Sequence, residues 1–283
     1  DSNSFQSDAH PDMKFAHVMS SFRGQEPEEL EVFDREKRAT IDREITDHAI
    51  DFIKRKAKSK KPFFAYLPYT QTHEPVDPHP DFYGKTGNGS FADVLAQTDV
   101  YVGELLDTIE ELGIKEDTIF IFTSDNGREG VPRSFGFTGP WRSGMFSPYE
   151  GSLRVPFLIR WPEKVPAGKI SDGLFSQIDL LPTFAALGDA KLSEDAVIDG
   201  VNQLSVLTTE SKDSKRELLV ISPNSPKHLT VRKGDWVYIP AQDEGGFQGK
   251  EIGNHLLAGA AAQKLTQLVN SDVKDGKVRK DAP

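Results

Sequence analysis

The 283-residue sequence contains no cysteine, so it can form no disulfide bond and offers no thiolate as a nucleophile or ligand. It also lacks any run of about 20 apolar residues, the length that a membrane-spanning helix requires. Positive charge is in deficit, with 34 Lys and Arg against 44 Asp and Glu. The resulting net charge of −10 disfavours nucleic acids and anionic membrane surfaces as partners.

The sequence opens on DSNSFQSDAH, without an initiator methionine or a visible secretory signal. This opening is typical of a break inside a longer chain. The absence of a signal peptide therefore carries no information about location.

Helical and strand patterns alternate over the first 200 residues, which predicts an α/β domain with a mainly parallel sheet flanked by helices. The predicted elements are helices over 40–57, 91–112 and 176–187, and strands over 62–69, 119–123 and 155–161. After about Gly200, the segments RELLVIS and LTVRKGDWVYI indicate a smaller antiparallel sheet. We therefore predict that residues 1–203 belong to the large α/β domain and that 204–283 begin a smaller C-terminal subdomain.

The octapeptide FIFTSDNG ends a strand pattern on a carboxylate and an amide, Asp125 and Asn126. Such a sequence also forms ordinary turns, because Asn and Gly tolerate positive φ and Asx side chains bond to local backbone. The alternative is a metal site, since both side chains offer the hard oxygen ligands that suit Ca²⁺ or Mg²⁺. Ligands of open α/β sheets bind beyond the carboxyl ends of the strands, where this pair is predicted to lie.

Five segments follow in order: LPYTQTHEP, FTSDNG, GPWRSGMFSPYEGSLRVPFLIRWPEKVPAG, SQIDLLPTFAALG and IDGVNQLSVL. This succession resembles the sulfatase family, the formylglycine-dependent arylsulfatase type of the alkaline-phosphatase-like superfamily, over roughly residues 40–239. The resemblance implies hydrolysis of sulfate esters at a periplasmic or secreted location. It also implies one divalent cation, usually Ca²⁺, and a formylglycine whose hydrate attacks the sulfur.

The resemblance gives roles to individual positions of this sequence. Asp125 and Asn126 match the later pair of four metal ligands. His73 matches a histidine that contacts the sulfate near the leaving oxygen, where a proton donor is needed. His79 lies nearby and is its competitor for that role.

Three features depart from the family pattern. No serine begins the formylglycine motif C/S-x-P-S/A-R, so we expect that motif and the two early metal acids in an N-terminal part outside this sequence, and we expect this chain alone to be inactive. Glu150 and Arg154 match a structural charge pair of the family, but Met145 stands where a sulfate-binding Lys often precedes that Glu. We assign substrate binding to Arg142, with a solvated loop charge as the alternative. The cations of the same loop that could replace the Lys are Arg142, Arg128 and Arg133.

Two further functions stay open. A phosphodiesterase or phosphonate hydrolase of the same superfamily is one, although Asn rather than His after Asp125 favours a single metal and sulfate. A non-catalytic remnant that binds sulfated glycans is the other, motivated by the missing nucleophile. The sequence leaves the sulfate ester itself undecided among sulfated polysaccharides, glycosaminoglycan fragments and aryl sulfates.

Overall fold

The structure is a computed structural model that describes residues 16–128, 138, 140–193, 195–208, 214–223, 228–242, 273–274 and 277–278. The chain divides into two compact units, residues 1–115 and 116–283, which are described separately below. The boundary after residue 203 stays a prediction. Within the described ranges, no helix has both the length and the apolarity of a membrane span.

Two long helices form the first unit, α1 (Arg35–Ser59) and α2 (Ser90–Glu111). The Asp34 carboxylate caps α1 by accepting a hydrogen bond of 2.8 Å from an amide of the first turn. Gly113 follows α2 with a φ of 67°, the left-handed conformation that glycine adopts readily at a helix end. Both helices begin and end within a few residues of the sequence prediction, except that α1 starts five residues earlier.

A short antiparallel hairpin precedes α1 and was not predicted. It consists of β1 (His17–Ser20) and β2 (Glu28–Val32), and every residue of β2 is exposed. Leu30 and Val32 alternate with glutamates along β2, but both side chains are exposed, so this short alternation does not mark a half-buried strand.

The buried face of α1 is mostly polar. Its buried side chains are Arg38, Asp42, Thr46 and Ile53, spaced close to one turn or two turns apart. The apolar periodicity that predicts this helix comes from Ile41, Ile45, Ala49, Phe52 and Ile53, of which only Ile53 is buried and the others are half-buried. The face that packs deepest therefore makes hydrogen bonds as well as apolar contacts.

Residues 62–69, predicted as a buried strand, form an extended segment that pairs with no strand among the described residues. Their side chains alternate between two environments, and Phe64 and Tyr66 are 72% and 78% exposed. Phe63 faces the other way and meets Phe52 of α1, with 5.7 Å between ring centroids. The prediction of a buried strand is wrong because successive side chains of an extended chain face opposite sides, and only one side packs.

The second unit begins with β3 (Phe120–Thr123), which pairs with β4 (Phe157–Arg160) in antiparallel register. The chain between them includes the short helix α3 (Glu150–Leu153) and returns alongside β3 in the opposite direction. All strand pairs of the described residues are antiparallel, so the parallel arrangement predicted for the larger sheet is not found in them. A 3₁₀ turn, Gln177–Asp179, leads into α4 (Leu180–Leu187), as the predicted helix over 176–187 requires.

The predicted small antiparallel sheet is confirmed. After α5 (Leu204–Thr208), it contains β5 (Leu219–Ile221), β6 (Thr230–Lys233) and β7 (Trp236–Tyr238) in that order. Gly234 joins β6 to β7 with a φ of 56°, the positive φ of a tight hairpin turn. A further two-residue pair follows, β8 (Val273–Lys274) with β9 (Lys277–Val278).

A buried ion pair connects the start of α4 to the segment that leads into β5. Asp179 is fully buried and accepts hydrogen bonds from the Ser176 and Val201 amides at 3.0 and 2.8 Å. Arg216 donates to the same carboxylate through Nε at 3.0 Å and through Nη2. Burial is the largest single influence and opposes ionisation, but the Arg216 guanidinium and the two amides together outweigh it and lower the pKa of Asp179.

Candidate functional site

The turn that directly follows β3 carries Asp125 and Asn126. The Asn126 amide N–H donates to Oδ1 of Asp125 at 2.8 Å, while Nδ2 of Asn126 donates to the Gly127 carbonyl at 2.8 Å. Since the side-chain nitrogen is engaged in this bond, the side-chain oxygen of Asn126 is the atom that can serve a cation. The Asp125 carboxylate is exposed and supplies a second hard oxygen beside it.

This donor set fits part of a calcium shell. Ca²⁺ takes about 6–8 oxygen ligands, and carboxylates and amide carbonyls are among the groups that it prefers. Among the described residues, no group of three or more His, Asp or Glu side chains is placed to hold a metal ion. The pair therefore fits two positions of such a shell, and other groups must complete it.

Two glycines allow this turn to pack directly on α3. The Gly127 amide donates to the Ser152 carbonyl at 2.9 Å, and the Gly151 amide donates to the Arg142 carbonyl at 2.8 Å. A Cβ on Gly127 would lie 2.0 Å from the Gly151 oxygen, and one on Gly151 would lie 2.4 Å from the Arg142 oxygen. Gly127 does not adopt positive φ, so its role is close backbone approach rather than the turn conformation considered from the sequence.

The carboxylate of Glu150, the first residue of α3, forms ion pairs with two arginine side chains. One carboxylate oxygen accepts from Nε of Arg154, which confirms the charge pair predicted from the sequence. The other accepts from Nη1 of Arg232 on β6 at 3.0 Å, a contact that local sequence patterns could not indicate across 82 residues. The Arg154 guanidinium also covers the Trp141 ring at 3.9 Å from its centroid. This network fixes α3, and with it the Asp125 turn, against the small sheet.

Arg142, assigned to substrate binding from the sequence, is exposed in the segment that precedes α3. Its guanidinium carbon lies 5.1 Å from the centroid of the Tyr149 ring. The stacking orders the side chain without consuming its hydrogen-bond donors. Its part in substrate binding stays a prediction.

Arg128 lies two residues after Asn126 and is half-buried. Its Nε and Nη1 atoms are buried and have no hydrogen-bond partner among the described residues. Burial lowers the pKa of this guanidinium. Its backbone carbonyl accepts from the Met145 amide at 2.8 Å. The structure thus places Arg128 beside the position where the resemblance leads one to expect a cation.

An open cavity of the second unit extends from the Asp125 turn to the small sheet. Residues at its two ends include Asn126, Met145, Arg232 and Trp236. Its volume of about 2310 Å³ is well above the 300–1,000 Å³ typical of a fitted ligand pocket. The cavity therefore outlines an accessible face of the unit and does not by itself define a substrate.

His73 lies in the first unit, in the loop that follows residues 62–69. Its Nδ1 lies 2.5 Å from the Glu74 carbonyl oxygen. A carbonyl oxygen can only accept, so this contact assigns the donor role to Nδ1. Asp125, Asn126 and Arg142 belong to the second unit.

His79, the competitor, is anchored to α2. Its amide donates to Oε1 of Gln97 at 2.8 Å, and its Nδ1 accepts from the Asp81 amide at 3.2 Å. The ring is thus engaged in local turn structure, a role that needs no substrate. The Nδ1 atom of His73 has a local backbone partner as well, so the choice of His73 over His79 stays a prediction.

The His73 loop is fastened to the polar face of α1 through Arg38. This buried guanidinium donates to the Pro75 carbonyl at 2.8 Å, the Thr70 carbonyl at 3.1 Å and the His73 carbonyl at 2.7 Å. Two cis peptide bonds, Gln71–Thr72 and Glu74–Pro75, lie in the same loop.

Asp42 completes this attachment one helical turn further along α1. Its two carboxylate oxygens accept from the amides of Thr70 and Gln71 at 2.8 and 3.1 Å. Burial raises the pKa of Asp42, an effect that these amide bonds oppose. Thr46, a turn later, shares a hydrogen bond of 2.9 Å with the Tyr69 hydroxyl. This polar stripe was not predicted, because apolar periodicity does not reveal polar side chains that face a loop and the predicted helix begins after Arg38.

Comparison with known proteins identifies the family. The family model described as Sulfatase matches residues 3–190, more than half of the chain. The chain belongs to the sulfatase family, and its α/β fold is that of the alkaline-phosphatase-like sulfatases.

Individual relatives agree with this assignment. An N-acetylgalactosamine-6-O-sulfatase of Bacteroides thetaiotaomicron is 38% identical over 223 residues, which are 72% of this chain and 43% of the relative. The human steryl-sulfatase is 34% identical over 181 residues, 62% of this chain and 31% of that protein. The crystal structure of the PsFucS1 sulfatase from Pseudoalteromonas sp. matches with a TM-score of 0.71 and 26% identity, covering 77% of this chain and 44% of the other. The chain spans less than half the length of these relatives.

Proposed function

We propose that this chain is part of a metal-dependent sulfatase that hydrolyses sulfate esters, with Asp125 and Asn126 as two ligands of one Ca²⁺. The observation that carries the proposal is the turn after β3, where a carboxylate and an amide oxygen lie side by side and glycine contacts hold the turn against α3. Bound there, the cation would neutralise sulfate oxygens and the charge that develops on them.

His73 is proposed as the proton donor to the leaving oxygen. In the imidazolium form both ring nitrogens carry protons, and the Glu74 carbonyl retains the one on Nδ1. The proton on Nε2 is then the one transferred, and the ring relaxes to the tautomer that the loop already favours. Arg38 and Asp42 position this loop through its backbone and do not contact the substrate.

Arg142 is proposed to bind the substrate, because its exposed guanidinium keeps its donors available while it stacks on Tyr149. No residue of this sequence matches the nucleophile motif, so the roles proposed for the chain are binding, positioning and proton transfer. The formylglycine belongs to the proposed whole enzyme.

The proposed substrate is a sulfated carbohydrate, with an aryl sulfate as the second candidate. The Bacteroides relative named for an N-acetylgalactosamine 6-O-sulfate supports the first, and the steryl-sulfatase shows that the family also includes other ester types. A periplasmic or secreted location is part of this proposal and is supported by the family resemblance.

The test uses the protein expressed from its complete natural reading frame. It should release sulfate from a sulfated N-acetylgalactosamine or from nitrophenyl sulfate, and Asp125→Ala should lose calcium binding in calorimetry together with that activity. Asp195→Ala removes an exposed carboxylate of the same unit and serves as the matched control. Unchanged calcium affinity in Asp125→Ala would exclude the metal assignment. Release of phosphate from a phosphodiester but no sulfate, or glycan binding without hydrolysis, would establish one of the alternative functions instead.

A further inference from the structure

Arg128 is half-buried, and two nitrogens of its guanidinium group are buried without an acceptor among the described residues. Its Nε and Nη1 atoms are shielded from solvent and meet no acceptor among the described residues. Arginine remains charged in proteins, so loss of a proton does not relieve the cost of burying these unpaired donors. A buried charge without a partner costs several kcal/mol, and native structures retain one where a ligand or ion completes it.

Two other arginines of the same chain show how it satisfies buried guanidinium groups when their role is structural. Arg38 donates to three backbone carbonyls, and Arg216 donates to the Asp179 carboxylate as well as to two carbonyls. Arg128 is half-buried as a residue, but its Nε and Nη1 atoms are shielded from solvent and have no such acceptors among the described residues. The contrast indicates that the partner of Arg128 is a group outside the described residues.

The position of Arg128 narrows the choice of partner. Only Gly127 separates it from the Asp125–Asn126 turn, and its carbonyl is bonded to the Met145 amide at 2.8 Å. Three backbone hydrogen bonds connect the segments around the Asp125–Asn126 turn. They join Arg128 to Met145, Gly127 to Ser152 and Gly151 to Arg142. An anion held at the metal turn would therefore lie next to a segment that carries a guanidinium group with buried donors that lack acceptors among the described residues.

We propose that Arg128 is an oxyanion-binding residue that recognises the sulfate group of the substrate, in place of a cation at Met145. This inference rests on the proposed function, because it takes the tetrahedral oxyanion to be the sulfate of the ester. Guanidinium suits this ligand, since its planar array of donors can bond to several oxygens of one anion. Arg142 then contacts the outer part of the substrate.

The test measures anion binding and needs no turnover. Thermal unfolding of the complete protein is followed with sodium sulfate and with sodium chloride at equal ionic strength, for the wild type and for Arg128→Met. Sulfate should raise the unfolding temperature of the wild type beyond chloride, and Arg128→Met should weaken the apparent sulfate affinity at least tenfold. Arg55→Met removes the same charge from the exposed side of α1 and should keep the full sulfate response.

A second readout separates this role from a structural one. Without sulfate, Arg128→Met should be at least as stable as the wild type, because it removes an uncompensated buried charge and supplies apolar volume. A loss of stability in chloride, or an undiminished sulfate response, would overturn the proposal. Sulfate release from the ester is measured independently of sulfate binding. If the complete protein hydrolyses sulfate esters but Arg128→Met binds sulfate normally, this inference is refuted and the proposed function is not.

Discussion

Replacing Arg38 tests whether the polar face of α1 supports the His73 loop. Arg38→Met keeps the helix propensity and much of the side-chain volume but removes three hydrogen bonds to the loop carbonyls, of 2.7, 2.8 and 3.1 Å. Each buried acceptor left unsatisfied costs about 1–3 kcal/mol. The buried Asp42 carboxylate also loses a nearby positive charge, whereas the cost of burying the guanidinium itself is recovered. These opposing effects lead us to expect a loss of about 3–5 kcal/mol in the free energy of unfolding.

The assay combines urea unfolding with amide hydrogen exchange. Arg55→Met, on the exposed side of the same helix, is the control and should change stability by less than about 0.5 kcal/mol. The amides of Thr70 and Gln71, which donate to Asp42, should exchange faster in Arg38→Met because local opening of the loop becomes easier. Equal stability of the two variants, with unchanged exchange at these amides, would refute the positioning role.

Three other outcomes are expected. In the complete enzyme, His73→Ala should lose about 10²–10⁴-fold in rate on a sugar sulfate but less on nitrophenyl sulfate, whose leaving group needs no proton, and a uniform loss would indicate sulfate binding instead. Gly127→Ala should destabilise the second unit in urea unfolding, because its Cβ would lie 2.0 Å from the Gly151 oxygen, while Gly188→Ala, with its nearest atom at 3.5 Å, should be nearly neutral. The lowered pKa of Asp179 contributes stability that is present above the unfolded value of about 3.9 and lost as pH falls through the lower folded value, so Asp179→Asn should flatten the acid limb of the stability curve.

The sequence predicted the elements that have a clear period or a clear boundary residue. The long helix α2 and its end at Gly113 follow from apolar spacing and from glycine at a left-handed position. The hairpin of β6 and β7 follows from two β-prone runs around Gly234. Strand partners were not predictable to the same degree, because strand orientation depends on the path of long connections rather than on local composition. An example is β4, which pairs with β3 in antiparallel orientation although the alternation of helices and strands predicted a parallel sheet.

The candidate site shows a similar division between what local sequence specifies and what packing adds. Asp125 and Asn126 could be selected because their chemistry and their place after a strand are both visible in one octapeptide. Whether Arg128 was a solvated loop charge or a ligand-binding cation could not be decided from the sequence, since the answer depends on which acceptors surround it in space. The structure surrounds its Nε and Nη1 with none among the described residues, while the buried guanidinium of Arg38 receives three. We therefore expect two arginines that look alike in the sequence to serve different purposes, and the satisfaction of their donors, rather than burial alone, is the observation that separates them.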